Sequence, residues 1–179
     1  KPWQAVRTAA GVALSCGVAA LLALAAMELY LRLTIPGSTN ASIFAYTLDT
    51  RRYKVMRANA SVTAWGKELR TNALGFRDHR EAIGPKRPGE FRIVVLGDSF
   101  TVSAGVDYER IYTRQLERLL REAHPEVQVI NLAVAGYNVV QYELVLREVA
   151  LGLEPDLVLV ALFPTNDFSN ETLDENFRR

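Results

Sequence analysis

Cysteine is almost absent from this sequence: Cys16 stands alone among 179 residues. A disulfide within the chain needs two cysteines and a cysteine-based zinc cluster needs more, so both are excluded. His79 and His124 are the only histidines, too few for a histidine-rich metal site. Charge of one sign is lacking too. Lysine and arginine number 21 against 20 aspartates and glutamates, for a net charge of +1. Without a basic excess there is no electrostatic footprint for a nucleic-acid partner. Neither a Gly-x-Gly-x-x-Gly turn nor a Walker-type lysine is present, which weakens a nucleotide-binding reading. No metal and no cofactor is expected.

The length predicts about one domain at the usual ~100–200 residues per domain. Hydrophobic residues at 49% and charged residues at 23% exclude a disordered or collagen-like chain. These averages conceal a segregation. Residues 8–27 contain no charge and are rich in Ala, Leu and Val. A helix of that length rises ~30 Å, the thickness of a bilayer's hydrocarbon core. Lys1 and Arg7 precede the run while Glu28 and Arg32 follow it, with Trp3 and Tyr30 near its ends. Basic residues favour the cytoplasmic side, so the pattern predicts a single-pass helix with a cytoplasmic N-terminus and an extracytoplasmic, periplasmic remainder. That remainder carries 18 positive and 19 negative charges, as a soluble domain tethered to lipid would. A cleavable signal peptide ending near Ala23-Leu24-Ala25 is an alternative, although the run exceeds the usual ~7–15-residue core. A buried core helix is a third reading, against which stands the lack of a polar face. Ala13-Leu14-Ser15-Cys16 faintly resembles a lipoprotein cleavage site, but the apolar run continues past it.

Ile35-Pro36-Gly37-Ser38-Thr39-Asn40 ends the apolar helix. Residues 41–80 suggest short strands, with Ser61-Val62-Thr63-Ala64-Trp65 weakly alternating and Gly66 as a turn. Gly84-Pro85-Lys86-Arg87-Pro88-Gly89 reads as a linker into the next unit. From residue 91 the pattern is regular. Strands are expected at Phe91–Leu96, Val127–Val134 and Leu157–Phe163, with helices at Glu109–Ala123 and Val139–Leu151. In the first helix Ile111, Leu116, Leu119 and Leu120 fall near helical spacing; in the second, Leu144, Val145 and Val149 do. Strands alternating with amphipathic helices give an α/β fold with a parallel sheet covered on both faces.

Ligand sites in such sheets lie beyond the carboxyl ends of the strands, where Ser99, Gly136 and Asn166 stand. A serine in a tight strand-to-helix turn can act as a nucleophile if a base takes its proton. The Ser99 and Gly136 N–H groups and the Asn166 carboxamide are three donors suited to the oxyanion of an acyl-transfer intermediate. Each also has an ordinary structural reading: serine as a helix N-cap, glycine as a turn, Asn-Asp as loop chemistry. The coincidence at three successive strand ends favours the site.

Val95-Leu96-Gly97-Asp98-Ser99-Phe100-Thr101 resembles the first block of the SGNH (GDSL-type) hydrolases. Asn131-Leu132-Ala133-Val134-Ala135-Gly136-Tyr137-Asn138 resembles the second block, and Pro164-Thr165-Asn166-Asp167 the third, usually Gly-x-Asn-Asp. Thr71-Asn72-Ala73-Leu74-Gly75-Phe76-Arg77-Asp78 is similar to a lead-in found in membrane-anchored members. The resemblance spans residues 70–171. It implies a flavodoxin-like three-layer α/β/α domain, with Ser99 as nucleophile and Ser99 N–H, Gly136 N–H and Asn166 as the oxyanion hole. The implied chemistry is hydrolysis or transfer of ester-linked acyl groups, often acetyl groups on carbohydrate, without a metal. The sequence departs from the pattern at Pro164, which fixes φ and removes an N–H, and in lacking the late Asp-x-x-His block that carries the base.

The expected organisation is an anchor over 1–33, an extracytoplasmic linker with short strands over 34–89, and the N-terminal part of the SGNH-like domain over 90–179. Because the sequence opens on Lys1 and stops after its third strand, it is expected to be part of a longer chain that supplies the Asp-x-x-His. His79, in Arg77-Asp78-His79-Arg80, reads as part of a solvated loop, and His124 as a helix-end residue. Two functions follow: a membrane-anchored esterase or acyltransferase acting on an acylated carbohydrate, or a non-catalytic SGNH-like accessory subunit of a membrane-protein assembly. The second draws on an Ala- and Gly-rich helix that can pack closely against others.

Overall fold

The computed structural model describes residues 2–34, 46–49 and 53–168. Helix α1, Pro2–Thr34, belongs to a unit spanning Lys1–Pro36. Its stretch Ala10–Thr34 is long and apolar enough to cross a membrane, and none of its most apolar window is buried.

The second unit spans Gly37–Arg179. Two antiparallel hairpins open it: β1, Tyr46–Asp49, with β2, Tyr53–Met56, and β3, Ser61–Ala64, with β4, Lys67–Arg70. Ala64 pairs with Lys67, so Trp65 and Gly66 form a two-residue turn, and both have positive φ, at 53° and 74°. Positive φ at both central positions matches the strand twist of a tight hairpin. The strands expected here are present.

A three-stranded parallel sheet follows, in the order β6-β5-β7. Strand β5 is Phe91–Leu96, β6 is Val127–Asn131 and β7 is Leu157–Val160. Val95 pairs with Asn131 on one side and with Leu159 on the other. Between β5 and β6 run a single turn, α2 (Ser99–Val102), a 3-10 turn, and α3 (Tyr112–Arg121). Between β6 and β7 runs α4 (Val139–Val145), which continues as a π turn and a 3-10 turn to Leu153. A last turn, α5, is Pro164–Asp167.

Two expected strands end early, each for a local reason. At Asn131 the side-chain Oδ1 accepts the N–H of Ala133 at 2.9 Å, which bends the chain out of β6. Past β7, the Asp167 carboxylate accepts the N–H of Phe163 at 2.8 Å and turns the chain into α5.

Alternation along the sheet divides the core. Val94, Leu96, Ile130 and Leu132 pack with Tyr142 and Val145 of α4 on one face, and Met56, Ala64, Leu69 and Phe76 complete that cluster. Residues 56–76 are therefore core-forming partners of the sheet. Ile93, Val95, Val127 and Val129 face the other way, against Leu116 and Leu120 of α3. The fold is α/β with a parallel sheet covered on both faces. Leu119 is a correction: it is exposed, while Glu117 takes a buried place on α3.

At the amino edge, Arg92 is buried and its guanidinium donates to Glu90 at 2.8 Å and to the Leu153 carbonyl at 2.7 Å. Burial works against ionisation of Glu90, but the Arg92 and Arg87 hydrogen bonds hold its pKa below the ordinary value. The Lys86 ammonium and the Arg92 N–H do the same for Asp156. A carboxyl depressed in the folded state gives stability above its unfolded pKa of about 4 and loses it as pH falls through the folded value. Thermal unfolding followed by circular dichroism should shift to lower temperature below about pH 4, and Asp156→Asn should flatten part of that shift.

Candidate active site

The first strand-end turn is built by three neighbours. A side chain on Gly97 would place its Cβ 2.2 Å from Thr101 Oγ1, so only glycine lets α2 fold back onto the end of β5. Thr101 Oγ1 in turn lies 2.9 Å from the Tyr112 hydroxyl. Asp98 is the N-cap of α2, and its carboxylate accepts the Phe100 N–H at 2.9 Å. Ser99 is the first helical residue and is exposed. The cap is therefore Asp98, and the serine hydroxyl is not needed to start the helix.

The second loop runs alongside the first. Leu132 N–H donates to the Val95 carbonyl at 2.8 Å, and Val134 N–H to the Gly97 carbonyl at 3.2 Å. Asn131 Nδ2 donates to the Thr101 carbonyl at 3.0 Å. Gly136 is exposed with φ 81°, in a turn closed by Tyr137 N–H to the Val134 carbonyl. Asn138 then caps α4 with a full capping box through Gln141.

The third loop meets the first from the other side. Ala161 N–H donates to the Leu96 carbonyl at 2.9 Å, and the Phe163 and Phe100 rings are 4.5 Å apart. Asp167 is fully buried; the Tyr142 hydroxyl donates to its Oδ2 at 3.0 Å, which ties α4 to this loop. Burial and the Asp167 carboxylate together raise the Tyr142 pKa, which keeps that hydroxyl a donor. Ser99, Gly136 and Asn166 thus all follow the carboxyl ends of adjacent parallel strands. The side chain of Asn166 lies outside the described residues.

The lead-in segment departs from expectation. Arg77 and Asp78 are buried at 0% and 1% exposure, so Arg77-Asp78-His79-Arg80 is not a solvated loop. Asn72 Oδ1 accepts the N–H groups of Leu74 and Phe76, which closes the loop on itself. Gly75 sits at φ 78°, where a Cβ would come within 2.4 Å of the Met56 carbonyl oxygen. Asp78 accepts from the Arg80 guanidinium and from the Tyr108 hydroxyl at 3.0 Å. His79 stacks on Tyr108 with ring centroids 3.8 Å apart, and burial lowers its pKa. His124 follows α3, exposed, beside Glu126. Nothing in the spacing of these charged residues separates a buried bracket from a wet turn; the one cue is Asn72-x-x-Gly75 with Phe76 behind it.

Among the described residues no group of three or more His, Cys, Asp or Glu is placed to hold a metal ion. Comparison with curated proteins finds no match. The crystal structure of TesA is matched at 22% identity and TM-score 0.39 over 48% of this chain and 49% of that one, so the chain spans about half the length of TesA. Residues 95–179, which hold all three strand-end loops, match the GDSL-like lipase/acylhydrolase family. From its first parallel strand end onward, the chain is similar to that family.

Proposed function

We propose that this protein is a membrane-tethered, extracytoplasmic ester hydrolase or acyltransferase whose nucleophile is Ser99. The observation that carries this reading is the placement of Ser99: exposed, uncommitted to capping, and set at the meeting of three loops at one sheet edge. In the reaction, Ser99 Oγ adds to an ester carbonyl carbon while a base takes its proton. The carbonyl oxygen becomes an oxyanion, accepted by the N–H groups of Ser99 and Gly136 and by the Asn166 carboxamide. Collapse breaks the bond to the alcohol, which leaves with the base's proton. The base then takes a proton from water or a second hydroxyl, whose oxygen adds to the acyl carbon, and returns that proton to Ser99 Oγ as the acyl bond to the serine breaks.

Neither histidine of this sequence suits the base: His79 is stacked on Tyr108 and His124 stands beside Glu126 after α3. The proton acceptor in this proposal comes from outside the described residues. General-base help is worth ~10²–10⁴-fold, so the test uses the full-length protein in its membrane or in detergent. Incubation with a fluorophosphonate serine probe, followed by peptide mass spectrometry, is expected to place the label on Ser99. An unlabelled Ser99 sinks the catalytic reading. Co-purification in fixed stoichiometry with other membrane proteins would then favour the accessory-subunit function. The apolar helix and its basic N-terminal flank support anchoring with the catalytic unit outside the cytoplasm. Acetylated carbohydrate is the substrate class proposed.

A further inference from the structure

Resting on the reading of Ser99 as nucleophile, we propose that Arg77 is a positioning residue, a buried clamp that sets the Ser99 turn against the β3–β4 hairpin. Its guanidinium gathers four backbone carbonyls. Nη1 donates to Val102 at 2.7 Å and to Ser103 at 2.6 Å, and Nη2 donates to Val106 at 2.6 Å and to Glu68 at 3.2 Å. Three of these acceptors lie in the segment that follows Ser99, and the fourth is on β4. The end of a helix leaves carbonyls without partners, and here one cation supplies donors for the last carbonyl of α2, at Val102, and for that of its C-cap, Ser103.

The clamp reaches Ser99 through a single turn. Ser103 N–H donates to the Ser99 carbonyl at 2.9 Å, and Val102 N–H to the Asp98 carbonyl at 3.0 Å. A shift of Val102 and Ser103 is therefore passed to Ser99 with nothing flexible between. Below the loop, Gly105 at φ 85° lies against the hairpin tip, where an added Cβ would be 2.9 Å from the Trp65 Cβ. Lys67 and Asp107 close the rim at 2.9 Å.

Arg77 is itself held. Thr71 bridges to it across the loop, Phe76 is in the core, and Asp78 is tied to Arg80 and Tyr108. The four acceptors are neutral carbonyls, and desolvation disfavours the charge of Arg77, with the nearby Asp107 carboxylate offsetting part of that cost. A buried cation on neutral acceptors is a poor way to gain stability. What the planar fork offers is reach and fixed angles, which a lysine ammonium cannot reproduce.

The test compares full-length wild type with Arg77→Lys and Arg77→Met, using inactivation by the fluorophosphonate probe and amide hydrogen exchange over residues 99–106. Displacing a reacting group by about 1 Å can cost about 10²-fold. Arg77→Lys is expected to lower the maximal inactivation rate about 10- to 100-fold with the half-saturating probe concentration little changed, and to speed exchange in that segment. Arg77→Met is expected to do more. If Arg77→Met does not fold, Gly105→Ala gives the second arm: it displaces the loop without touching Arg77 and should lower the same rate. A labelled wild type alongside an Arg77→Lys protein with wild-type inactivation overturns the positioning role alone, whether or not exchange changes. An unlabelled wild type overturns the Ser99 reading and the positioning role together.

Discussion

Alanine at position 99 should abolish ester hydrolysis by the full-length protein while leaving its unfolding temperature within a degree or two. The loss in kcat is expected to be on the order of 10⁶-fold, the scale seen when a serine hydrolase loses its nucleophile. Stability is expected to hold because Ser99 is an exposed first residue of α2, and Asp98 carries the cap. Exposed substitutions away from such features change stability by less than about 0.5 kcal/mol. The contrast with Asp98→Ala is informative. Losing that cap should cost about 0.5–2 kcal/mol and disturb the turn as well, so both activity and melting temperature fall. Initial rates on p-nitrophenyl acetate, beside thermal melts of the same preparations, check the pair. A Ser99→Ala protein that keeps its esterase rate ends the nucleophile assignment, even if the fold is intact.

The sheet was readable in the sequence because its strands carry a local signal. Phe91–Leu96 is a β-branched run stopped by Gly97, and Leu157–Val160 follows a Pro-Asp turn. The hairpin turn at Trp65-Gly66 was readable through Gly66. The ends of the strands were less so, since they depend on whether one side chain, Asn131 or Asp167, captures a particular N–H. The three strand-end loops could be ordered along the chain, and parallel pairing then brings them to one edge. The lead-in bracket was hidden for a different reason. Arg77 is buried by carbonyls of residues 102, 103, 106 and 68, and a backbone carbonyl has no residue identity to find. Glu117 shows the same blindness: among Arg114, Arg118 and Arg121 it looks like a solvated helix pair, yet it is buried and Leu119 is not.

That buried carboxylate carries the second large effect. Glu117 Oε2 accepts the Val129 N–H at 3.0 Å from the outer edge of β6, and Arg80 donates to the Val129 carbonyl at 2.7 Å. The edge strand thus has its outward groups at Val129 filled by side chains, which denies them to a foreign strand. Around Glu117 stand three guanidiniums, Arg114 at 2.8 Å, Arg121 at 3.4 Å and Arg80 at 3.6 Å. Glu117→Ala leaves a buried N–H without an acceptor and three cations without their shared anion. Removing one side of a buried ionic cluster typically costs about 3–5 kcal/mol, and about 2–4 °C in melting temperature accompanies each kcal/mol at this size. A fall on the order of 10 °C is expected, with Glu117→Gln intermediate because its amide oxygen still accepts from Val129. The alanine variant should also form higher-order species on light scattering as the β6 edge opens. A change under about 1 kcal/mol, the range of an exposed pair, would place Glu117 among ordinary surface charges and leave the edge sealed by something else.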